Sequence, residues 1–332
     1  MNSFYETLSE INPNAQNIAL TVLSKDKQGA KCLVSAGKIA WESDPFFSEH
    51  ADETLAVSGN GIAQPLGVQK VRITGGEPMA RRGCLELVQS LHEMGGLSRI
   101  AMTTNALLLR GRMQEARDKG LTSINISLDT LDPVCYRQMT RLGNVAPVLD
   151  AIDEALTCGL SVKVNAVPIR GMNENDLVSV AALAQDQPVC VRFIELMPVG
   201  CGAAFSPIPT DEVLAKMEAA FGTLLPDETR HGDGPARYVK PHGFVGSIGV
   251  IGAVSHEFCD RCNLVRLTAD GFLKLCLNHS AGLNLRELLR SGASDEQITA
   301  AIYDAIQKKP QRHGFYEALP DREGRRMNEI GG

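Results

Sequence analysis

Between residues 68 and 198 the chain alternates β-type runs with amphipathic helical runs, and this rhythm restricts its fold more than any other feature. The β-type runs are QKVRITGG (69–76), SRIAMTTN (98–105), SINISLD (123–129), SVKVNAV (161–167) and CVRFIELMP (190–198). Helical periodicity fills the intervals at roughly 83–95, 110–119, 145–158 and 174–186. Such repetition implies parallel strands in a sheet or barrel. An earlier run, NIALTVL (17–23), is expected to open the series as a sixth strand. The fold class expected is α/β: an open (β/α)6-type partial TIM barrel from about residue 17 to 200, then a smaller C-terminal region.

Side chains on a strand alternate between two faces. Val71 and Ile73 oppose Arg72 and Thr74; Ile124, Ile126 and Leu128 oppose Asn125, Ser127 and Asp129; Val162 and Val164 oppose Lys163 and Asn165. Thr103 and Asn105 share a face of the intervening strand. Helices cover apolar faces, so the polar faces are expected to line a lumen. An ordinary closed barrel fills that space with branched apolar residues. Leaving these polar groups buried without partners would cost roughly 1–3 kcal/mol each. A polar ligand with water would satisfy them; so would a network closed among themselves. In TGGEP (74–78) the glycines permit close backbone approach to a ligand, and Glu77 could pair with an ammonium group, although a purely structural turn fits as well.

Three cysteines near the C-terminus carry the next constraint: Cys259, Cys262 and Cys276 in HEFCDRCNLVRLTADGFLKLC. A CxxC pair with a third thiolate after a short hairpin can hold one metal centre. Structural zinc wants four closed ligands, and His256, His279 or Cys201 could supply the fourth. A [4Fe–4S] cluster on three cysteines leaves one iron open to a non-protein ligand. Spacing does not separate the two. Cys84, Cys135, Cys158 and Cys190 read as small core residues. His231, His242 and His313 read as solvated, and so does the charge run DREGRR (321–326).

The chain has 332 residues, 44% of them hydrophobic, enough for a large core in one domain or two. No apolar run is long enough to span a membrane, and MNSFYETLSEINPNAQ shows no secretory pattern. Nine cysteines without such a signal suggest a reducing, cytoplasmic setting. A net charge of −6 argues against general nucleic-acid binding but allows a local cationic pocket.

TGGEP after KVRI, then TTN, NISLDTLDP, VKVNAV and RFIELMPVG together resemble the radical S-adenosylmethionine enzymes of molybdenum-cofactor synthesis, the GTP 3',8-cyclases. SHEFCDRCNLVRLTADGFLKLCL resembles that family's second-cluster motif, and MNEIGG resembles its Gly-Gly tail, Gly331 and Gly332. The resemblance runs from about residue 66 to the end. It implies that Gly76, Ser127 and Met197 bind S-adenosyl-L-methionine, that Arg72, Thr103, Lys163 and Arg266 bind GTP, and that Cys259, Cys262 and Cys276 ligate a 4Fe-4S cluster. The implied reaction converts GTP to (8S)-3',8-cyclo-7,8-dihydroguanosine 5'-triphosphate. The implied organisation is a divergent segment 1–65, a barrel 66–200 and a C-terminal region 201–332. A homo-oligomer is compatible with this picture.

The sequence also departs from the family. The family carries CxxxCxxC just after its first strand, and this chain does not. Cys32 stands where the last of the three would be, with Lys25 and Gly29 in the other places. Neither can ligate iron, so one cluster is expected and not two. The basic residue of the family's first strand is absent from NIALTVL, Leu264 stands where the family usually has arginine, and Ala106 follows TTN where glycine is usual. Two further readings therefore accompany the cyclase: a catalytically silent protein binding GTP and one cluster, and a zinc-stabilised binding module.

Overall fold

The computed structural model describes the backbone of Asn17–Thr21 (β1), Lys31–Ser35 (β2) and Lys38–Glu42 (β3). It also describes residues 68–330 apart from 94–95, 142, 230, 233, 269, 318–322, 326 and 328–329. Lys25, Gly29, Gly331 and Gly332 lie outside the described residues.

Five strands follow the expected rhythm: Lys70–Ile73 (β4), Arg99–Thr104 (β5), Ser123–Ser127 (β6), Ser161–Ala166 (β7) and Cys190–Ile194 (β8). Each pairs in parallel with the next. Helices Cys84–Glu93, Met113–Asp118, Pro133–Thr140, Ala146–Thr157 and Leu177–Asp186 lie between them. Leu224–Pro226 (β9), Arg237–Pro241 (β10) and Ser247–Ile251 (β11) complete an eight-stranded sheet of order β4-β5-β6-β7-β8-β11-β10-β9.

The sixth parallel strand is β11, which pairs with β8. It is not the strand expected at 17–23. β1 instead pairs antiparallel with β2, and β2 with β3, in a separate sheet. Local sequence explains this: KCLVS follows NIALT closely enough for a hairpin, whereas a parallel partner needs a long crossover. Cys32 lies inside β2, opposite Leu20 and Glu42.

The outer face of the sheet is apolar. Ile100, Met102, Ile124, Ile126, Val164, Val191, Phe193 and Ile248 are all at most 1% exposed. They pack against the helices through Val88, Leu85, Val148, Ile152, Val180 and Ala184. Burying each large apolar side chain contributes about 1.5–3 kcal/mol. The helix ends follow local signals. Asp132 accepts from the Cys135 N–H ahead of Pro133, and Ser294 with Gln297 forms a capping box on helix Asp295–Gln307.

The cysteine region is a small antiparallel sheet of Arg266–Leu267 (β12), Phe272–Lys274 (β13) and Gly282–Asn284 (β14). Helices Leu285–Arg290 and Asp295–Gln307 back it through Leu273, Leu275, Leu285, Ile298 and Ile302. Another apolar cluster joins Val199, Ala253, Leu277, Phe315 and Ile330, with Met197 and Met327 against it. It ties the exit of β8 to the C-terminal segment. Among the described residues, no helix is long and apolar enough to cross a membrane.

Candidate active site

Strand register sets the inner face. Thr103 stands beside Asn125, Asn125 beside Lys163, and Lys163 beside Cys190; one step along, Asn165 stands beside Arg192 and Arg192 beside Gly249. These side chains meet. Arg192 donates to the Asn165 side-chain oxygen from Nε at 2.9 Å and from Nη2 at 2.6 Å, and to that of Asn125 at 3.1 Å. The Asn125 amide donates to Thr103 Oγ1 at 3.1 Å. Arg192 therefore stitches three strands, and part of the polar lumen satisfies itself. Arg192 is 5% exposed and was not singled out from the sequence. The period-two rule places it beside Asn165, which is the signal that could have found it.

Cations crowd this face. Arg72 is exposed at the strand, yet desolvation by its surroundings lowers its pKa to about 10, and the charges of Arg192 and Arg266 add to the effect. Lys163 is 8% exposed, and burial, with the charges of Arg192 and Lys70, lowers it to about 8. Its Nζ donates to the His231 carbonyl. A Cβ on Gly232 would stand 3.1 Å from Lys163 Nζ, 3.5 Å from Arg99 Nη1 and 3.8 Å from Lys70 Nζ. Glycine thus lets the loop backbone come down among three cations. So many like charges on one face describe an anion site.

His231 is not solvated, contrary to expectation. Its Nε2 lies 2.7 Å from Asp227 Oδ2 and its Nδ1 2.9 Å from Cys190 Sγ. Its ring leans on Tyr238, with centroids 4.3 Å apart. Burial pushes the Asp227 carboxyl up, but hydrogen bonds from Ser247, Thr229 and His231 outweigh it and hold the group well below the usual range.

The residues expected at S-adenosylmethionine lie at the carboxyl ends of alternate parallel strands. Gly76 follows β4, Ser127 closes β6, and Met197 follows β8. Gly76 and Ser127 are exposed; Met197 is half-buried. Glu77 has no carboxylate free for an ammonium group. It accepts from the Met79 N–H at 3.0 Å, the Thr104 hydroxyl at 2.6 Å and the Asn105 N–H at 2.8 Å, so Glu77 serves to hold the turn in place. Ala106, which follows TTN, takes φ +64°. The departure from glycine thus falls where glycine is the unstrained choice.

Arg266 links the lumen to the cysteines. Its charge acts on Arg72, while Cys262 and Cys276 act on it; burial is the largest influence and lowers its pKa. Cys259 interacts electrostatically with both Cys262 and Cys276, and burial raises its pKa. Among the described residues, Glu257, Cys259 and His313 are the group of three ligating side chains whose donor atoms lie within 4.8 Å of one another. The three cysteine sulfurs do not form such a group. Three thiolates on one tetrahedral zinc stand about 3.8 Å apart, given Zn–S bonds of about 2.3 Å. The thiolates of a multi-iron cluster bind different irons and need not come so close. The proposed fourth zinc ligands are engaged elsewhere or exposed. His256 Nε2 binds Asp211 at 2.9 Å, His279 Nε2 faces the Arg312 carbonyl at 3.3 Å, and Cys201 is exposed. The histidine that reaches the site is His313, 8% exposed and not solvated as expected.

The family profile described as "Molybdenum Cofactor Synthesis C" matches residues 189–315, and that described as "Radical SAM superfamily" matches residues 32–184. The GTP 3',8-cyclase of Pelotomaculum thermopropionicum is 43% identical over 80% of this chain and 82% of its own. That of Clostridium perfringens is 38% identical over 80% of this chain and 83% of its own. The chain belongs to the GTP 3',8-cyclase family. The cyclase of Syntrophomonas wolfei extends the match to 97% of this chain and 98% of its own, at 39% identity. Streptococcus suis SuiB bound to S-adenosylmethionine shares the fold, with a TM-score of 0.50 and 15% identity over 77% of this chain and 60% of its own. As a radical S-adenosylmethionine family, the cyclases imply a 4Fe-4S cluster and S-adenosylmethionine as cofactors.

Proposed function

We propose that this chain binds GTP across the lumen, with Cys259, Cys262 and Cys276 holding a single 4Fe-4S cluster beside it, as a member of the lineage that performs the first step of molybdenum-cofactor synthesis. The observation that carries this reading is the cation-lined inner face, where a Cβ on Gly232 would meet Lys163, Arg99 and Lys70, and where Arg266 stands within electrostatic reach of both Arg72 and the Cys262 and Cys276 thiols. A nucleoside triphosphate suits this face: its phosphates match Lys163 as a point charge and Arg72 as a fork, and its base would lie toward the cysteines. Thr103 is held by Asn125 on the same face. Gly76, Ser127 and Met197 would hold S-adenosylmethionine at the strand ends.

In the family reaction, cofactor chemistry supplies a 5'-deoxyadenosyl radical that takes hydrogen from the ribose C3'. The protein's share is orientation, charge neutralisation and exclusion of water. Here the CxxxCxxC triad is missing, which favours a second reading of binding without turnover. The setting proposed is cytoplasmic, with GTP as the small-molecule partner.

Anaerobic reconstitution tests the site. About four irons with acid-labile sulfide per chain are expected, as for one 4Fe-4S cluster. About twice that iron would show a second cluster, and one zinc without sulfide would establish the binding-module reading. Incubation with S-adenosylmethionine, GTP and dithionite then separates the two family readings. Formation of 5'-deoxyadenosine at a rate comparable to an intact cyclase would show that the missing triad does not abolish catalysis.

A further inference from the structure

The segment after helix Asp295–Gln307 folds back over the cysteine site. Lys309 Nζ lies 3.2 Å from Cys262 Sγ and donates to the Cys262 and Leu264 carbonyls, each at 2.8 Å. All three ammonium donors are therefore spent on the CxxC turn. The His313 backbone N–H donates to the Cys259 sulfur. The His313 ring is also fixed: Nδ1 accepts the Phe315 N–H at 3.2 Å, which leaves the proton of the neutral ring on Nε2. That Nε2 is buried with no hydrogen-bond partner, in the group formed with Cys259 and Glu257 and 3.6 Å from the Glu257 carboxylate. Two of the three cysteines thus meet N–H donors from one short stretch, KPQRH (309–313).

We propose that Lys309 and His313 form a donor cap over Cys262 and Cys259 that raises the reduction potential of the cluster held there. This rests on the reading of these cysteines as cluster ligands. The physical cause is general. One-electron reduction adds negative charge that spreads onto the ligating sulfurs, and N–H donors aimed at those sulfurs stabilise the reduced form more than the oxidised one. A cationic donor does so more strongly than a neutral one. Lys309 and His313 are positioning residues in this scheme, because they act through the thiolates.

The test is a potentiometric titration of the reconstituted full chain, reduced with dithionite and followed by electron paramagnetic resonance. Lys309→Met should leave iron and sulfide content unchanged and lower the midpoint. At the wild-type midpoint, its reduced-to-oxidised ratio should fall about tenfold, equivalent to 59 mV for one electron. Lys309→Gln keeps a neutral donor and should fall between the two. The wild type alone gives a second readout: hyperfine couplings to exchangeable N–H protons should be present in the reduced cluster and vanish in deuterium oxide. An unchanged midpoint in Lys309→Met, or no exchangeable coupling in the wild type, overturns the cap. A wild type that takes up no iron and sulfide overturns the cluster reading itself and the cap with it.

Discussion

Lys163 shows how a single buried cation can report on its ligand. Its folded pKa, about 8, lies below the ordinary 10.5. The folded chain therefore releases this proton before the unfolded chain does. The cost of charging Lys163 weighs fully below about pH 8 and disappears as the pH rises toward the ordinary value. A triphosphate reverses that preference. GTP binding near pH 8 should take up a proton, and affinity should decline at higher pH. Calorimetry in buffers of different ionisation heat measures the uptake, which Lys163→Ala should abolish. The same variant should weaken GTP by about 1.5–3 kcal/mol if the contact is charge-assisted. Equal affinities would place GTP elsewhere. Ala106 offers a second test at this scale. Replacing a buried alanine by glycine ordinarily costs about 0.5–1 kcal/mol. At φ +64°, relief of about 1–2 kcal/mol opposes that cost. Ala106→Gly should therefore be neutral or stabilising by up to about 1.5 kcal/mol in urea denaturation, and a clear loss of stability would count against strain at this turn.

Among the elements, β8 does more than its length suggests. Its inner face carries Cys190 and Arg192, and the chain leaving it carries Glu195, which is 3% exposed. Glu195 accepts from the Val254 and Ser255 N–H groups, both at 2.8 Å, and from the Ser255 hydroxyl at 3.1 Å. This one carboxylate orders the loop that leads into Cys259. Glu195→Ala strips two backbone donors of their acceptor, at roughly 1–3 kcal/mol for each that stays unsatisfied. Denaturation should show a loss of at least about 2 kcal/mol, and hydrogen exchange should quicken at Val254 and Ser255. Unchanged exchange there would mean that the loop is held by other contacts. The strands of 68–198 and four of the helices between them were legible because period two and period 3.6 are local properties of the sequence; helix Pro133–Thr140 was not expected. Arg72 and Lys163 on the inner face were legible for the same reason, whereas Arg192 was not. The partners of Lys163, Glu195 and His313 were not, because each lies some 60 residues away or across a turn whose geometry the sequence does not display. For His231 the lesson is specific: glycine and proline neighbours suggested solvent, yet Asp227, Cys190 and Tyr238 enclose it. β1 failed differently, since an apolar run does not say whether a hairpin or a crossover will claim it.

Over the whole molecule, the tail is fastened by a buried ion pair. Lys274 is 0% exposed and donates to Glu323 and to the His279 carbonyl at 2.7 Å. Burial pushes the Glu323 carboxyl up, but hydrogen bonds from Arg325 and Lys274 outweigh it and hold the pKa at about 2. Stability from this pair is present above the ordinary glutamate pKa and is lost as the pH falls toward 2. Glu323→Ala leaves the Lys274 charge buried and unpaired, at about 3–5 kcal/mol. Limited proteolysis should then cut the C-terminal segment sooner than in the wild type. Equal protection would show that Ile330 and Phe315 anchor it without the pair.

The order of strands also bears on synthesis. β11 enters the sheet beside β8, although the two are separated by more than fifty residues of chain. A ribosome therefore releases five parallel strands before the one that covers their last edge. During that interval β8 offers an unpaired backbone row flanked by Val191 and Phe193, a surface on which a neighbouring nascent chain could add a strand. A fragment ending near residue 200 should accumulate as aggregate, and one extended through Ile251 should stay in solution. In this chain, the hazard of misassembly is set by how long translation takes to travel from Ile194 to Ser247.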